Sequence, residues 1–442
     1  MQARVGKLRV KLRYSFWFLP SLMTVFAAAL SFALPWLEDR IATPQISEVI
    51  PLEAEGIRAM LGMVASSMIT VATTAFSIVI VALQLASGQL GPRLLRNFVR
   101  DRSNQVALGV FIGTFVYCLL LMRYFGTGNP PGDLPMIGFM VALLLTLAGV
   151  AVLIFFIHHA ALSIQKDRVI ARVSGELLQS LDLLYPKAIG YPPPMNKEEG
   201  ARSQRFPGDV LSGWEDAEEI ALRESGYIQA VDAARLMRIT SEEDLCVYLI
   251  KRPGDFVHRG SPVMRVRAPQ GIRSGLAKRL ADVIVLGIER TQQQDVAFVF
   301  DQLVEIAIRA LSPGINDSFT AMRCIDRLAD ALAVVARTAV PSPYRYDSEE
   351  NLRVLTNPVN FQVLVSLVLY PVAESAAGHT VVVLRLFRAI EEIGAACHAR
   401  HQRRVLERFA EYLRALADQA PCAYQRAEEL DSYHARALGV LK

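Results

Sequence analysis

Apolar positions along the chain fall into two regimes. Up to about residue 164 they come in long uninterrupted runs; beyond it they recur at helical or strand spacing with polar residues between them. Four runs are long enough to cross roughly 30 Å of hydrocarbon, for which about 20 helical residues suffice. They cover 16–37, 59–85, 105–122 and 135–157. Trp17 and Trp36 sit near the ends of the first as interfacial anchors. That run has a basic flank, but its length and the lack of a small-x-small site after Pro35 predict a retained span, not a cleaved leader. After the fourth run, Ile164, Val169, Ile170, Val173, Leu177 and Leu178 predict a helix over 165–184. Pro186, Pro192, Pro193, Pro194 and Pro207, with several glycines, predict a linker that ends near residue 224.

The character changes again at 225. Residues 227–231 and 245–250 read as strands on either side of a short helix at 232–238. The following stretch, Lys251-Arg-Pro-Gly-Asp-Phe-Val-His-Arg-Gly-Ser-Pro-Val-Met-Arg-Val266, carries a Pro-Gly-Asp turn and resembles half of a biotinyl/lipoyl-type β-sandwich. The Met-Lys-Met hairpin that carries a cofactor in such proteins is missing, so only the strand pattern transfers; a plain β-hairpin module fits the same residues. Helices are predicted over 274–283, 295–311 and 318–338, with a short strand at 284–288 and a loop at 341–350. About four further helices complete the chain, two of them amphipathic between 398 and 440. The fold class expected is a membrane protein of four transmembrane helices with a cytoplasmic α+β region, a small β-sandwich-like module followed by a helical bundle. Its parts are a spanning domain (1–164), a helix and Pro/Gly-rich linker (165–224), a β-rich module (225–270) and a mostly helical domain (271–442).

Charge sharpens this division. Residues 1–164 hold 12 Lys+Arg and 7 Asp+Glu, and 165–442 hold the other 35 and 36, so the surplus of +4 sits wholly in the apolar part. Within it the basic residues cluster before the first run (Arg4, Lys7, Arg9, Lys11, Arg13), after the second (Arg93, Arg96, Arg100, Arg102) and after the fourth (Lys166, Arg168, Arg172). The positive-inside rule then predicts a multi-pass bacterial inner-membrane protein with both termini cytoplasmic. Five widely spaced cysteines form neither a disulfide framework nor a zinc spacing. The cytoplasmic part, at −1 overall, lacks the basic face of a nucleic-acid binder.

The second run carries the most informative pattern. Ser66, Thr70, Thr73, Ser77, Gln84 and Ser87 recur at steps of 4, 3, 4, 7 and 3, one polar stripe interrupted at Ile80. Polar groups facing lipid are costly, so the stripe should face protein or water. Helix–helix packing through small hydroxyls explains it, and so does the wall of a water-filled path between subunits. Gln84 is the one member bulky enough to constrict or coordinate. Arg93, Arg96 and Arg100 would meet anionic lipid headgroups or, around a pore, form an anion-attracting mouth. Gly109-x-x-x-Gly113 in the third run is a close-packing motif.

Two stretches carry a family resemblance. One runs from Thr74-Ala-Phe-Ser-Ile-Val-Ile-Val-Ala-Leu-Gln through Arg93 to Phe98; the other joins Arg290-Thr-Gln-Gln-Gln-Asp295 to Ala310-Leu-Ser-Pro-Gly-Ile-Asn-Asp-Ser-Phe-Thr-Ala321. With the four spans, they resemble the bacterial predicted membrane protein family called domain of unknown function 2254, over nearly the whole chain. The resemblance implies an inner-membrane protein and brings no mechanism with it; it also implies Pro where this chain has Ser318.

In the second stretch Arg290, Asp295, Asn316 and Asp317 are candidates for a turn or a subunit or ligand contact, and capping of the flanking helices explains Asp295, Asn316 and Asp317 equally. The acids lie at opposite ends of one helix, which argues against a metal site. His398 and His401 share a helical face without further ligands at zinc spacing, and His158 and His159 read as interfacial. No Walker loop, G-x-S-x-G or H-E-x-x-H occurs, so neither an enzyme nor a cofactor is expected. The leading expectation is a homo-oligomeric, channel-like or transport-related protein, in contact with membrane lipids, whose second span lines a path for an ion or small ligand. The alternative is a membrane-anchored sensor or scaffold whose cytoplasmic part binds a partner or small ligand.

Overall fold

The computed structural model describes residues 17–41, 54–90, 101–125, 134–163, 165–181, 189–193, 214, 216–269, 271–338, 342–419 and 427–442. The chain divides into two compact units, Met1–Val169 and Ile170–Lys442.

The first unit contains four long apolar helices: α1 (Phe18–Ile41), α2 (Ala54–Leu90), α3 (Arg102–Leu121) and α4 (Met136–Ser163). Each contains a stretch long and apolar enough to cross a membrane. Each overruns its apolar run at one end or both, because backbone hydrogen bonding continues past the last apolar side chain. α3 is the hub: 56% of its most apolar stretch is buried, against 28% or less in the others. It lies against all three neighbours, with Phe111, Tyr117, Cys118 and Leu121 fully enclosed.

The α1–α3 contact is made close by glycine. A Cβ on Gly109 would fall 2.5 Å from Met23 Sδ, and one on Gly113 would meet Ala27 Cβ at 3.5 Å. The Gly-x-x-x-Gly pair is therefore the seam between α1 and α3, where small residues let the two helices approach closely. Polar tethers fix both ends. Glu38 accepts from the Ile137 N–H at 2.9 and 3.1 Å, placing a carboxylate at the start of α4. Tyr117 donates to the Gly138 carbonyl at 2.8 Å. At the other end Asp101 caps α3 through the Ser103 N–H and meets His159 Nε2 at 2.7 Å.

The second unit is α+β. α5 (Lys166–Leu181) crosses the division, and the strands and helices that follow are β1 (Glu218–Ala221), β2 (Gly226–Val231), α6 (Ala233–Glu242), β3 (Cys246–Leu249), β4 (Phe256–Val257), β5 (Pro262–Arg267), α7 (Ser274–Ala281), β6 (Ile284–Gly287), α8 (Val296–Ala310), α9 (Ser318–Arg337), β7 (Tyr344–Tyr346) and β8 (Leu352–Leu355). Helices α10 (Phe361–Ala376), α11 (Thr380–Ala396), α12 (Arg400–Asp418) and α13 (Ala427–Leu441) end the chain.

The strands form a five-stranded sheet, β1-β5-β3-β8-β7, and a three-stranded one, β4-β2-β6. One core joins them, drawing Ile228 and Val257 from the small sheet, Val247 and Met264 from the large one, and Leu236 and Leu280 from α6 and α7. Capping sets the helix starts. Asp232, Asp295, Asp317 and Asn360 each accept the N–H three residues on.

Residues 341–350, expected as a loop, contain β7, and β8 follows at once. β8 runs parallel to β3, with Val247 opposite Val354. Two physical reasons hid this pair. Strands of three and four residues are too short to show alternation, and their buried positions include Arg345 and Arg353, at 3% and 8% exposure. Arg345 is satisfied by the carbonyls of Ile189 and Gly190, and Arg353 by Asp347 at 2.6 Å.

Candidate functional site

α2 is built with two opposed faces. Its inner face is Ile57, Leu61, Ala65, Met68, Ala72, Ala75, Val79 and Ala82, buried at steps of three and four. At 100° per residue the polar stripe lies on the far side of the helix. Ser66, Thr70, Thr73, Ser77 and Gln84 are all exposed, turned away from α3 and α4. The stripe thus makes no contribution to packing within the four-helix unit. It extends about 27 Å from Ser66 to Gln84, close to the thickness of the hydrocarbon layer. Exposed Met63 and Val81 flank it on one side, Ile69 and Ile80 on the other.

The hydroxyls are not left open. Thr70, Thr73 and Ser77 each donate to the carbonyl four residues back, at 2.9 Å. Such back-bonding removes most of the cost of a hydroxyl in an apolar setting. A Gln side chain has no equivalent local partner, so the exposed Gln84 amide is the group that needs a neighbour. The Ser87 side chain and Arg93, Arg96 and Arg100 lie outside the described residues.

In the second unit, Arg290, Asp295 and a residue absent from the sequence reading, Asp301, form one cluster. Arg290 Nε donates to Asp295 Oδ2 at 2.7 Å and Nη1 to Asp301 Oδ2 at 2.5 Å. Burial opposes the charge on Arg290, but the two carboxylates outweigh it and hold the guanidinium pKa above its ordinary value. Asp295 is only 4% exposed and caps α8 through the Phe298 N–H at 3.1 Å.

The Pro-Gly-Asp turn seats directly on this carboxylate. Gly254 has φ +97°, and a Cβ there would lie 2.2 Å from Asp295 Oδ2. The same turn bonds to β2 through Gly254 N–H and the Ile228 carbonyl at 2.8 Å. The glutamines between Arg290 and Asp295 extend the attachment. Gln294 pairs with the N–H and carbonyl of Val231 at 2.9 and 3.1 Å, and Gln292 reaches Glu176 on α5 at 3.1 Å. The motif therefore rivets the β-rich module to the start of α8.

Asn316 and Asp317 stand at the other end of α8, about 22 Å away along a 15-residue helix. Asn316 turns the chain with φ +49°, and Asp317 caps α9 through the N–H and hydroxyl of Thr320, at 3.0 and 2.7 Å. The fold does not bring the four motif residues together; each of the two ends has its own capping task. Ser318 meets His379 Nδ1 at 3.4 Å.

Other polar groups had no sequence signal. Asp347 accepts from Arg353 and from the N–H groups of Glu349 and Asn351, both at 2.9 Å. Inside α3, Asn104 and Thr114 are 6% and 1% exposed, and their oxygens Oδ1 and Oγ1 lack partners among the described residues. Among the described residues no three His, Cys, Asp or Glu side chains gather as a metal site. Burial pushes the thiols of Cys246 and Cys397 up to about 11, and that of Cys324 to about 12, so none is a ready nucleophile.

A family model described as a predicted membrane protein (DUF2254) matches residues 13–392. Uncharacterised proteins of Mycobacterium bovis and Mycobacterium tuberculosis are 33% identical to the chain over 295 residues, 66% of this chain and 54% of each relative. The chain thus spans about half the length of the relatives it matches. No solved structure matches it.

Proposed function

Because the chain belongs to the DUF2254 family of predicted membrane proteins, we propose a function that starts in the bilayer: several copies assemble with their α2 stripes facing one another, as a channel-like or transport-related homo-oligomer. The observation that carries this reading is the outward stripe, exposed along about 27 Å of a spanning helix. Lipid tails offer Gln84 no hydrogen bond, at a cost of several kcal/mol for each unsatisfied group. A neighbouring copy or enclosed water removes that cost. Any path must run between subunits, because the middle of a single unit is filled by α3 and its buried Phe111 and Tyr117. We place the protein in a bacterial inner membrane with both termini cytoplasmic, on the loop charges.

The test begins with Ser77→Cys in native membranes. Cross-linking into dimers or larger species is expected, and a strictly monomeric protein overturns the assembly. Reconstituted liposomes then report ion or solute flux, which Gln84→Leu should change. Flux indifferent to that substitution removes Gln84 from the path. A second reading has its own support: Thr70, Thr73 and Ser77 satisfy themselves on their own backbone and need no water. They equally suit a dry contact between copies, with the second unit acting as a sensor or scaffold. Stable oligomers without flux favour that reading.

A further inference from the structure

The helical end of the second unit carries a concentration of positive charge that its fold does not neutralise. α12 begins Arg400-His-Gln-Arg-Arg404, and Arg408 follows one turn later. Glu407 and Glu411 share the helical face of Arg400, Arg404 and Arg408, but among the described residues none of the three arginines forms an ion pair and the segment stays net positive. Gln402, buried and bonded through Nε2 to the Ala336 carbonyl at 3.1 Å, fixes this helix start against the end of α9, which adds Arg337. Arg337, Arg400, His401, Arg404 and Arg408 are all exposed.

The arrangement runs against ordinary helix electrostatics. The first turn of a helix carries a partial positive charge and favours acids, with basic residues suited to the last turn. Here the first turn has no acid, and the cap is Ala399, whose side chain accepts nothing. Arg400 and Arg404 thus add to the field of the helix terminus. Among the described residues, Arg385, Arg414 and Arg436 of this bundle do form ion pairs. Arg403, between the exposed arginines, has a buried Nε without an acceptor among the described residues and only a 3.5 Å contact from Nη2 to the Cys397 carbonyl. The exposed arginine side chains and the helix terminus together favour an anion at one place.

We propose that the start of α12, with Arg337 beside it, is a docking surface for the anionic headgroups of a phospholipid bilayer. Lipid is favoured over other polyanions on two grounds. The chain spans a membrane, and only Ile164 and Gln165 separate α4 from α5, so the second unit is tethered at a bilayer. Residues 393–408 contain no Phe, Tyr or Trp to serve as a stacking platform for nucleic-acid bases. Each arginine near an anionic surface contributes on the order of a fivefold shift in the docking equilibrium, a contribution that salt screens.

The experiment uses the full chain in nanodiscs of phosphatidylcholine, with and without phosphatidylglycerol, and follows amide hydrogen exchange over residues 400–408. Slower exchange in the anionic discs is expected, reversed by added salt. The triple variant R400Q/R404Q/R408Q should dock on the order of a hundredfold more weakly, and the corresponding Arg→Lys triple should retain the effect. Equal exchange in both lipids overturns the proposal. So does equal protection in phosphatidylcholine discs given inorganic phosphate, an oligonucleotide or an acidic peptide, each of which would identify a different occupant. Should the glutamine variant fail to fold, the salt series on the unaltered protein decides alone.

Discussion

Replacing Arg290 by Met tests whether the Arg-Thr-Gln-Gln-Gln-Asp motif is a structural rivet. The guanidinium holds two carboxylates, Asp295 at 4% exposure and Asp301 at 23%. Removing one partner of a buried pair costs about 3–5 kcal/mol, because the remaining charge has no other solvation. Asp301 can recover water, so the lower figure, about 3 kcal/mol, applies. For a unit of this size the unfolding midpoint should fall by about 6–12 °C. Asp295→Asn keeps an oxygen for the Phe298 N–H and leaves Arg290 with Asp301, so about 1 kcal/mol is expected. The double variant should lose about 2 kcal/mol, where independent sites would lose about 4. Urea or thermal unfolding of the solubilised protein, followed by circular dichroism, measures all three. Strict additivity, or an Arg290→Met change below about 0.5 kcal/mol, would refute the reasoning and return Arg290 and Asp295 to the list of groups available for a ligand.

Gly113→Leu should wedge α1 from α3, since Ala27 Cβ already lies 3.5 Å from where a Cβ would sit; about 1–3 kcal/mol of destabilisation is expected in thermal unfolding in detergent. Asp347 supplies a pH dependence. Burial pushes its carboxyl up, but Arg353 and the N–H groups of Asn351 and Glu349 pull it down further, leaving it below the ordinary value. A carboxylate depressed by folding stabilises above its unfolded pKa of about 3.9, and that contribution disappears as pH falls through the folded value. Asp347→Asn should therefore be less stable than the parent at pH 7, and the gap should close progressively below about pH 4 in melts taken across pH.

The four long apolar helices were legible because continuous apolar runs of this length form helices of membrane-crossing length, and the helix starts at Asp295 and Asp317 because a capping carboxylate is a local signal. The stripe on α2 was legible as a pattern, but not its direction. Direction depends on which face the small alanines and Met68 turn to α3 and α4, a matter of tertiary packing. The Arg290 pairing was half visible: Asp295 stood nearby in sequence, whereas Asp301 needed the first turns of α8 to carry it round. The β7–β8 pair was illegible. Its stabilising contacts reach back to Ile189, Gly190 and Asp244, and its buried arginines invert the usual reading of a charged residue as exposed.

The parallel pairing of β3 with β8 constrains how the second unit can be made. Val247 finds its ladder partner at Val354, so loop closure must gather α7, β6, α8 and α9 before the sheet is complete. During synthesis β3 emerges long before β8 and waits with one edge bare, an invitation to pair with another chain. A fragment cut at residue 270, at what looks like the end of the β-rich segment, would keep that bare edge permanently. Its predicted fate is aggregation. Any excised piece meant to stay soluble has to run past Leu355, so the shortest autonomous fragment is defined by a hydrogen-bond ladder instead of by a change in composition.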